Sequence, residues 1–274
     1  MKYIKLKNGR VAYTQRGQGT PVLLVHGLGS SSRDWEPQMN DLSRIASVWA
    51  LDLRGHGESD LLNRPLLLGE LADDVAEFIR AMGIQGCMLV GISMGGMISF
   101  DLMARYPQLV SGMVSINSAP SFPVDRWSIR LRLAFRLTVL SLLGMRNMSR
   151  LIARNLFPHP YQLPLRQQLV DSFSKNDLRS YRYAVGAIAG WSSVPAINQV
   201  DLPILVVTGD RDYTPIAFKK AYCDELLNAE LAVVCDSGHA TPLDQPEQMN
   251  MLLRRFLALL TKPERVAITE PYVY

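Results

Sequence analysis

The serine at position 93 is the first candidate for chemistry. Residues 91–95 read Gly-Ile-Ser-Met-Gly, and they lie between an apolar run and a helical pattern. A strand that turns directly into a helix needs a sharp bend, and glycines on both sides of a serine let the two elements approach each other. The hydroxyl then stands at a helix N-terminus, where backbone N–H groups favour developing negative charge. The pattern therefore indicates that Ser93 is a nucleophile.

A serine nucleophile needs a general base, and the chain contains four histidines. His239 follows an apolar run at residues 231–234 and is therefore expected in a loop at the carboxyl end of a strand. Functional sites of open α/β sheets form at such loops. His26 and His56 each precede a glycine, and His159 lies between two prolines, which is typical of histidines that structure loops. His239 is therefore the predicted base.

The base needs a carboxylate to orient it, and two aspartates compete for this role. Asp210 and Asp212 both lie in the loop that follows the apolar run at 204–207. Asp212 is the predicted acid, because Pro215 begins the next helix and Asp212 then lies at the crest of the loop. Asp210 is predicted to be a turn or capping residue. The order along the chain is then nucleophile, acid and histidine, each after a later strand.

Strand and helix patterns alternate along most of the chain. Two alternating segments joined by Asn8-Gly9 predict a β-hairpin at the start. Continuous apolar runs predict strands covered on both faces at residues 22–25, 47–51, 88–90, 110–116, 204–207 and 231–234. Helical patterns lie between or after them at residues 69–82, 94–105, 213–227 and 244–260. The predicted fold class is α/β, with a mostly parallel eight-stranded sheet flanked by helices.

The alternation stops between residues 119 and 192. This segment has helical periodicity, several proline breaks and no strand-like run. We predict that residues 119–192 form a helical cap, or lid, inserted into a discontinuous core of residues 1–118 and 193–274. Residues 121–191 contain eleven Lys or Arg against three Asp or Glu, a charge of +8, whereas the whole chain carries +4. The tail at 264–274 is weakly patterned and is expected to be an arm or to be disordered.

Five segments in order resemble the α/β-hydrolase family. They are His26–Gly29, Asp52–Ser59, the GxSxG sequence, Gly209–Pro215 and Gly238–Glu247, and the resemblance covers about 200 of the 274 residues. It implies an oxyanion hole formed by the backbone N–H groups of Leu28 and Met94, beside Gly27, and it implies no metal or organic cofactor. Some relatives carry their acid where this chain has Asn117, which cannot act as an acid, so the assignment of Asp212 is strengthened.

The resemblance also implies that the cap lies over the serine and sets substrate choice. Trp127 and Trp191 are among the cap aromatic residues predicted to face the substrate, and the side chains of Leu28 and Met94 are predicted to line an apolar acyl pocket. The basic excess of the cap leaves three alternatives open: attraction of anionic substrates or acyl carriers, loose contact with anionic lipid, or a solvated surface.

The expected function is that of a serine carboxylesterase or small lipase, which cleaves an ester with an apolar acyl group through an acyl-enzyme on Ser93. A carbon–carbon bond hydrolase, a thioesterase and a cofactor-free perhydrolase are alternatives on the same residues, and a ligand receptor with slow turnover is the non-enzymatic one. Haloalkane dehalogenases and epoxide hydrolases resemble this fold but need a carboxylate nucleophile, so the serine at position 93 argues against both classes. The basic segment carries no recognised nucleic-acid-binding motif, so no nucleic-acid partner is expected.

Composition and termini fit a cytoplasmic globular protein. Apolar residues make up 48% and charged residues 20% of the chain. The N-terminus alternates like a strand and lacks an apolar signal core, and the longest apolar stretch is shorter than the ~20 residues that cross a bilayer. No stable membrane insertion is therefore expected. Cys87, Cys223 and Cys235 have no metal-binding spacing and are expected to be buried, reduced thiols.

Overall fold

The protein is built around one twisted sheet. The computed structural model describes residues 1–125, 127–261 and 272–273. In these ranges nine strands pair in the order β1-β2-β4-β3-β5-β6-β7-β8-β9. The strands are Lys2–Leu6 (β1), Gly9–Arg16 (β2), Pro21–Val25 (β3), Ser47–Leu51 (β4), Cys87–Ile92 (β5), Val110–Ile116 (β6), Ile204–Gly209 (β7), Ala229–Val234 (β8) and Tyr272–Val273 (β9).

The pairing of the strands is mostly parallel. β1 pairs antiparallel with β2, and β2 pairs antiparallel with β4. The other neighbours, from β4–β3 to β8–β9, run parallel. The prediction of a mostly parallel eight-stranded sheet is confirmed by β1–β8, and the two-residue β9 extends its edge. Because parallel strands end at the same edge, the loops after β3, β5, β6, β7 and β8 meet there.

Helices cover both faces of the sheet. They are Glu36–Leu42 (α1), Leu68–Met82 (α2), Met94–Arg105 (α3), Trp127–Leu156 (α4), Leu163–Phe173 (α5), Leu178–Ile188 (α6), Ile216–Cys223 (α7), Thr241–Asp244 (α8) and Pro246–Leu260 (α9). Successive residues of β3 point to opposite faces: Leu23 packs with residues of α2 and α3, whereas Leu24 packs with residues of α1 and α9. Both side chains are fully buried, which explains why this strand is apolar throughout.

A long segment connects β6 to β7, and its two ends pair with each other. Ser121 and Ser192 form an isolated antiparallel bridge. Beyond it, α4, α5 and α6 pack around a small core of their own that includes Leu140, Phe173 and Tyr181. We propose that this segment is the cap predicted for residues 119–192, on a core of residues 1–118 and 193–274. Gly144 interrupts α4 with φ 70° and ψ 175°, so the helix bends there.

The structure corrects several sequence-based boundaries. The helix predicted at 213–227 is limited to Ile216–Cys223, and the one predicted at 244–260 begins at Pro246, after the separate short helix Thr241–Asp244. The break at Gln245 follows from the proline at 246, because the residue before a proline avoids the helical region, and Gln245 has φ −132°. Helix α1 was not predicted, since seven residues carry too little periodicity. Cys235 is exposed, not buried as expected.

Two further observations concern the expected tail and membrane contact. Tyr272 and Val273 of the tail pair with β8, while the remainder of the predicted arm, at 264–271 and 274, lies outside the described residues. Across the described ranges, no helix has both the length and the apolar character needed to cross a bilayer.

Candidate active site

Ser93 lies at the sharp turn between β5 and α3. It has φ 53° and ψ −119°, a conformation that non-glycine residues rarely adopt. The flanking glycines explain how the turn closes. A Cβ on Gly91 would lie 2.4 Å from the carbonyl oxygen of Gly95, and a Cβ on Gly95 would lie 2.2 Å from that of Val25. The turn predicted from the GxSxG sequence thus depends on two positions that have no room for a side chain.

The loops after β7 and β8 bring an aspartate and a histidine together. The Nδ1 atom of His239 lies 2.6 Å from Oδ1 of Asp212, whose side chain is 1% exposed. The hydroxyl of Thr214 donates to Oδ2 of Asp212 at 2.8 Å. The ring of Tyr213 stacks on the imidazole with centroids 4.5 Å apart. These contacts orient the imidazole with Nε2 as its remaining nitrogen.

The environment of Asp212 favours its ionised form. Burial by itself would raise the pKa of this carboxyl. The hydrogen bond with His239 and the charges of His239 and Lys219 outweigh burial and hold the pKa of Asp212 well below its ordinary value. A carboxylate that stays ionised can stabilise a neighbouring imidazolium.

The competing aspartate has a different position. The carboxylate of Asp210 accepts hydrogen bonds from the backbone N–H groups of Ser237 at 2.9 Å and Asp236 at 3.1 Å. It therefore ties the loop after β7 to the loop after β8, and among the described residues the imidazole forms its carboxylate contact with Asp212 instead. This placement agrees with a structural role for Asp210.

Asn117 joins the same two loops from the end of β6. Its Nδ2 group donates to the carbonyl oxygens of Gly238 at 3.1 Å and His239 at 2.9 Å, and to Oγ1 of Thr241 at 2.8 Å. Its Oδ1 atom accepts from the N–H of Gly209 at 3.0 Å. The sequence suggested only that Asn117 is not the acid, whereas the structure makes it a clamp on the histidine loop.

The predicted oxyanion residues lie against the serine. A Cβ on Gly27 would lie 3.3 Å from Cβ of Ser93, so the loop after β3 passes directly beside the nucleophile. Leu28 and Met94 line one cavity with Ser93. Met94 is the first residue of α3, so its N–H is free of the intrahelical bonds that later residues make. Phe173 of the cap packs on the next residue of this loop, Gly29.

The cavity over Ser93 has a volume of about 740 Å³. Both Ser93 and His239 line it, and no hydrogen bond joins them among the described residues; such bonds commonly tighten when substrate binds. Apolar side chains from the core and the cap form most of the remaining wall, among them Leu28, Met97, Phe122, Ile152, Leu156 and Phe173.

The two cap tryptophans predicted to face the substrate lie elsewhere. Trp127 is 73% exposed at the start of α4 and is not in the lining of the cavity. Trp191 is also absent from the lining, and its Nε1 donates to the carboxylate of Asp101 at 2.8 Å. Aromatic type alone could not show which face of the cap each residue occupies. The cap contributes smaller apolar side chains to the lining instead, as well as Phe122 and Phe173.

The other three histidines lie in loops and form hydrogen bonds with loop residues, as their sequence context predicted. His26 is fully buried, and its Nε2 accepts from the N–H of Leu53 at 3.0 Å. Burial lowers the pKa of His56 to about 3, so this ring stays neutral. His159 of the cap contacts Arg211 in the acid loop at 3.1 Å. None of the three lines the described cavity.

Sequence reasoning did not identify Lys219 of α7. This lysine is buried, lines the cavity and places Nζ 3.3 Å from Oδ2 of Asp212. Burial lowers the pKa of the Lys219 ammonium, and the neighbouring carboxylate opposes that shift. A lysine within a short helix carries no sequence signal for such a position, because most lysines on helices are exposed.

Comparisons with known proteins identify hydrolases that are similar to this chain in sequence or fold. (E)-2-((N-methylformamido)methylene)succinate hydrolase of Acinetobacter baylyi is 34% identical over 117 residues, which cover 42% of this chain and only 44% of that relative. The 3-oxoadipate enol-lactonase 1 of the same organism is 22% identical over 86% of this chain and 88% of its own. An esterase from Exiguobacterium antarcticum has the same fold, with a TM-score of 0.87 and 20% identity over 93% of this chain and 98% of its own.

The family model described as alpha/beta hydrolase fold matches residues 20–246, which include Ser93, Asp212 and His239. The match extends over most of the chain and coincides with the sheet, the turn at the serine and the loops that follow the strands. The chain therefore belongs to the α/β-hydrolase fold family and is a hydrolase of that family.

Proposed function

We propose that the protein hydrolyses uncharged carboxylic esters through an acyl-enzyme on Ser93. The observation that carries the proposal is the arrangement at one edge of the sheet. A strained serine shares an apolar cavity with a histidine, and a buried carboxylate binds the other nitrogen of that histidine. Nucleophile, base and orienting acid are the three parts that acyl transfer to serine needs.

The reaction begins with proton transfer from the Ser93 hydroxyl to Nε2 of His239. The serine oxygen attacks the ester carbonyl, and the carbonyl oxygen becomes an oxyanion. The backbone N–H groups of Leu28 and Met94 donate to this oxyanion; each such donor contributes ~3–4 kcal/mol to transition-state stabilisation in related acyl transfer. Asp212 stabilises the imidazolium without taking up the proton.

The second half of the reaction releases the products. The imidazolium protonates the alkoxide as the carbon–oxygen bond breaks, and the alcohol leaves. Water then gives a proton to His239 and attacks the acyl carbonyl, and collapse of the second oxyanion breaks the bond to Ser93. The carboxylic acid departs, and the serine regains its proton. Every step uses side chains and backbone groups of this chain.

The charges in the cavity favour an uncharged substrate. Asp34, Asp125 and Asp212 line it, and Lys219 is the sole Lys or Arg among the described lining residues. Because Lys219 is paired with Asp212, it offers no cation to an anionic acyl group. Among the described arginines of the cap, Arg146 is exposed and is not in the lining of the cavity. The described residues therefore do not support attraction of anionic substrates by the basic cap.

The first experiment measures hydrolysis of p-nitrophenyl butyrate by the wild type and by Ser93→Ala. We expect the variant to lose at least about 10⁴-fold in kcat while its melting temperature is retained. Ser172→Ala is the matched control, because Ser172 lines the same cavity but its hydroxyl donates to the carbonyl of Leu169 within α5. Turnover by Ser93→Ala at the wild-type rate contradicts the assignment of the nucleophile.

A second experiment tests the substrate class. The p-nitrophenyl esters of butyrate and of succinate have acyl chains of equal length, and the succinate ester carries a terminal carboxylate. We expect kcat/KM to be at least about 10-fold higher for butyrate, because a carboxylate in this cavity finds no unpaired Lys or Arg among the described lining residues. Equal or faster hydrolysis of the succinate ester refutes the argument from charge. A lactone and a thioester of similar size complete the panel.

A further inference from the structure

Lys219 is an unusual residue for the place it occupies. Its side chain is 2% exposed, although lysine is among the residue types least often fully buried. Burying an ammonium group is costly unless it is paired and hydrogen-bonded. A buried ion pair is seldom more stabilising than apolar residues of the same volume, so stability alone gives a weak reason for a lysine here.

The contacts of Lys219 connect the acid with the nucleophile. Its Nζ lies 3.3 Å from Oδ2 of Asp212 and donates to the carbonyl oxygen of Ser118 at 3.0 Å. The hydroxyl of Ser118 donates in turn to the carbonyl oxygen of Ser93 at 2.7 Å. The hydroxyl of Tyr222, one turn further along α7, also donates to the carbonyl of Ser118 at 3.0 Å. One side chain of α7 therefore bridges the loops after β6 and β7.

We propose that Lys219 is a positioning residue that holds Asp212 in register with the nucleophile turn and sets the pH at which His239 becomes an active base. The kinetic test of this proposal, described below, rests on the proposed function. The NMR test rests on the geometry alone. Asp212 uses one oxygen for His239 and the other for Thr214 and Lys219. The lysine thus acts on the imidazole through the carboxylate that lies between them.

The sign of the effect follows from the charges. An uncompensated carboxylate stabilises the imidazolium, so that the histidine keeps its proton to higher pH. The ammonium of Lys219 offsets part of the Asp212 charge and itself repels a second positive charge nearby. Both effects favour the neutral imidazole, which is the form that accepts the serine proton. Removal of the lysine charge should therefore move the acid limb of the pH–rate profile to higher pH.

Other charged and titratable groups lie on the elements next to His239 and are the same in every variant. Asp210, Arg211 and Tyr213 come from the acid loop, Asp236 and Asp244 from the histidine loop and α8, Tyr222 from α7, Asp34 from the loop after β3, and Asp125 and His159 from the cap. Since they are common to all variants, differences between variants report on position 219.

The experiment compares three substitutions at position 219. Lys219→Gln keeps a donor for Asp212 and Ser118 but has no charge, Lys219→Arg keeps the charge, and Lys219→Met has neither. The profile of kcat/KM against pH is measured for p-nitrophenyl butyrate with each protein, and melting temperatures identify variants that do not fold. We expect the midpoint of the acid limb to move to higher pH by about one unit in Lys219→Gln. In Lys219→Arg it should stay within a few tenths of a pH unit of the wild-type value.

The titration of the His239 ring, followed by NMR in the wild type and Lys219→Gln, gives a readout that does not depend on turnover. We expect its midpoint to move up together with the acid limb. If the wild type hydrolyses no ester, the proposed function fails while this measurement still tests the role of Lys219. Unchanged limbs and midpoints in Lys219→Gln, or equal shifts in the Gln and Arg variants, overturn the proposal and leave Lys219 a packing residue.

Discussion

Replacement of Asn117 by alanine should destabilise the protein and weaken catalysis together. The carboxamide makes four hydrogen bonds that tie Gly209 to the segment from Gly238 to Thr241. The residue is 3% exposed, so water cannot readily replace these bonds. It also has φ 46°, a left-handed conformation that asparagine tolerates better than alanine.

The magnitude follows from counting what is lost. The N–H of Gly209 would be left buried without its acceptor, which costs about 1–3 kcal/mol. The donor bonds to the two carbonyls contribute about 0.5–1.5 kcal/mol each. Left-handed alanine adds about 1 kcal/mol. We therefore expect the free energy of unfolding to fall by about 3–7 kcal/mol, and kcat to fall by about 10²-fold because the histidine loop shifts.

The assay combines urea denaturation with initial rates of ester hydrolysis. Asn117→Gly removes the same hydrogen bonds without the left-handed strain, so it should be about 1 kcal/mol more stable than Asn117→Ala. Asn147→Ala is the control, because the described side-chain hydrogen bonds of this exposed residue stay within α4. A loss below 1 kcal/mol with wild-type kcat would refute the clamp assigned to Asn117.

Three further predictions concern the acid, the nucleophile turn and the sheet edge. Asp212→Asn should lower kcat by ~10⁴-fold, whereas Asp210→Asn should mainly lower the melting temperature; the reverse kinetic pattern would move the acid to Asp210. Gly95→Ala should lower the free energy of unfolding by at least about 1–3 kcal/mol, since its Cβ would meet backbone at 2.2 Å, and Gly186→Ala in α6, where nothing lies within 4 Å, should not destabilise. Burial raises the pKa of Glu230 from 4.5 to about 7, so the folded state binds this proton more tightly and its stability falls as pH rises between those values. Glu230→Gln should therefore gain melting temperature over the wild type at pH 8 but not at pH 4.5, and an equal difference at both would contradict this.

The sheet and the order of its loops could be read from local patterns. The continuous apolar run Val22–Val25 predicts a strand buried on both faces, and the structure places its side chains alternately on the two sides of the sheet. The turn at Ser93 was also visible, because glycines at 91 and 95 allow a close approach that no other residue allows. Periodicity and backbone sterics act over a few residues, so a linear pattern records them.

The positions of the cap residues could not be read in this way. Trp127 and Trp191 were predicted to contact substrate because they are aromatic residues in the cap, yet one is exposed and the other donates to Asp101 of α3. The helical pattern of a cap shows that it has an apolar face, but not which element that face covers. Its orientation on the core depends on packing between distant segments.

The sequence by itself determined the α/β alternation, the nucleophile turn and the order in which serine, aspartate and histidine each follow a later strand. Only the tertiary structure decided that Asn117 clamps loops more than 90 residues away and that buried Lys219 pairs with Asp212 beside the nucleophile turn. The physical reason is range. Local conformation depends on neighbouring residues, whereas a hydrogen bond between distant loops depends on how the strands are ordered in the sheet, and lysine or asparagine in isolation carries no mark of the partner it will meet.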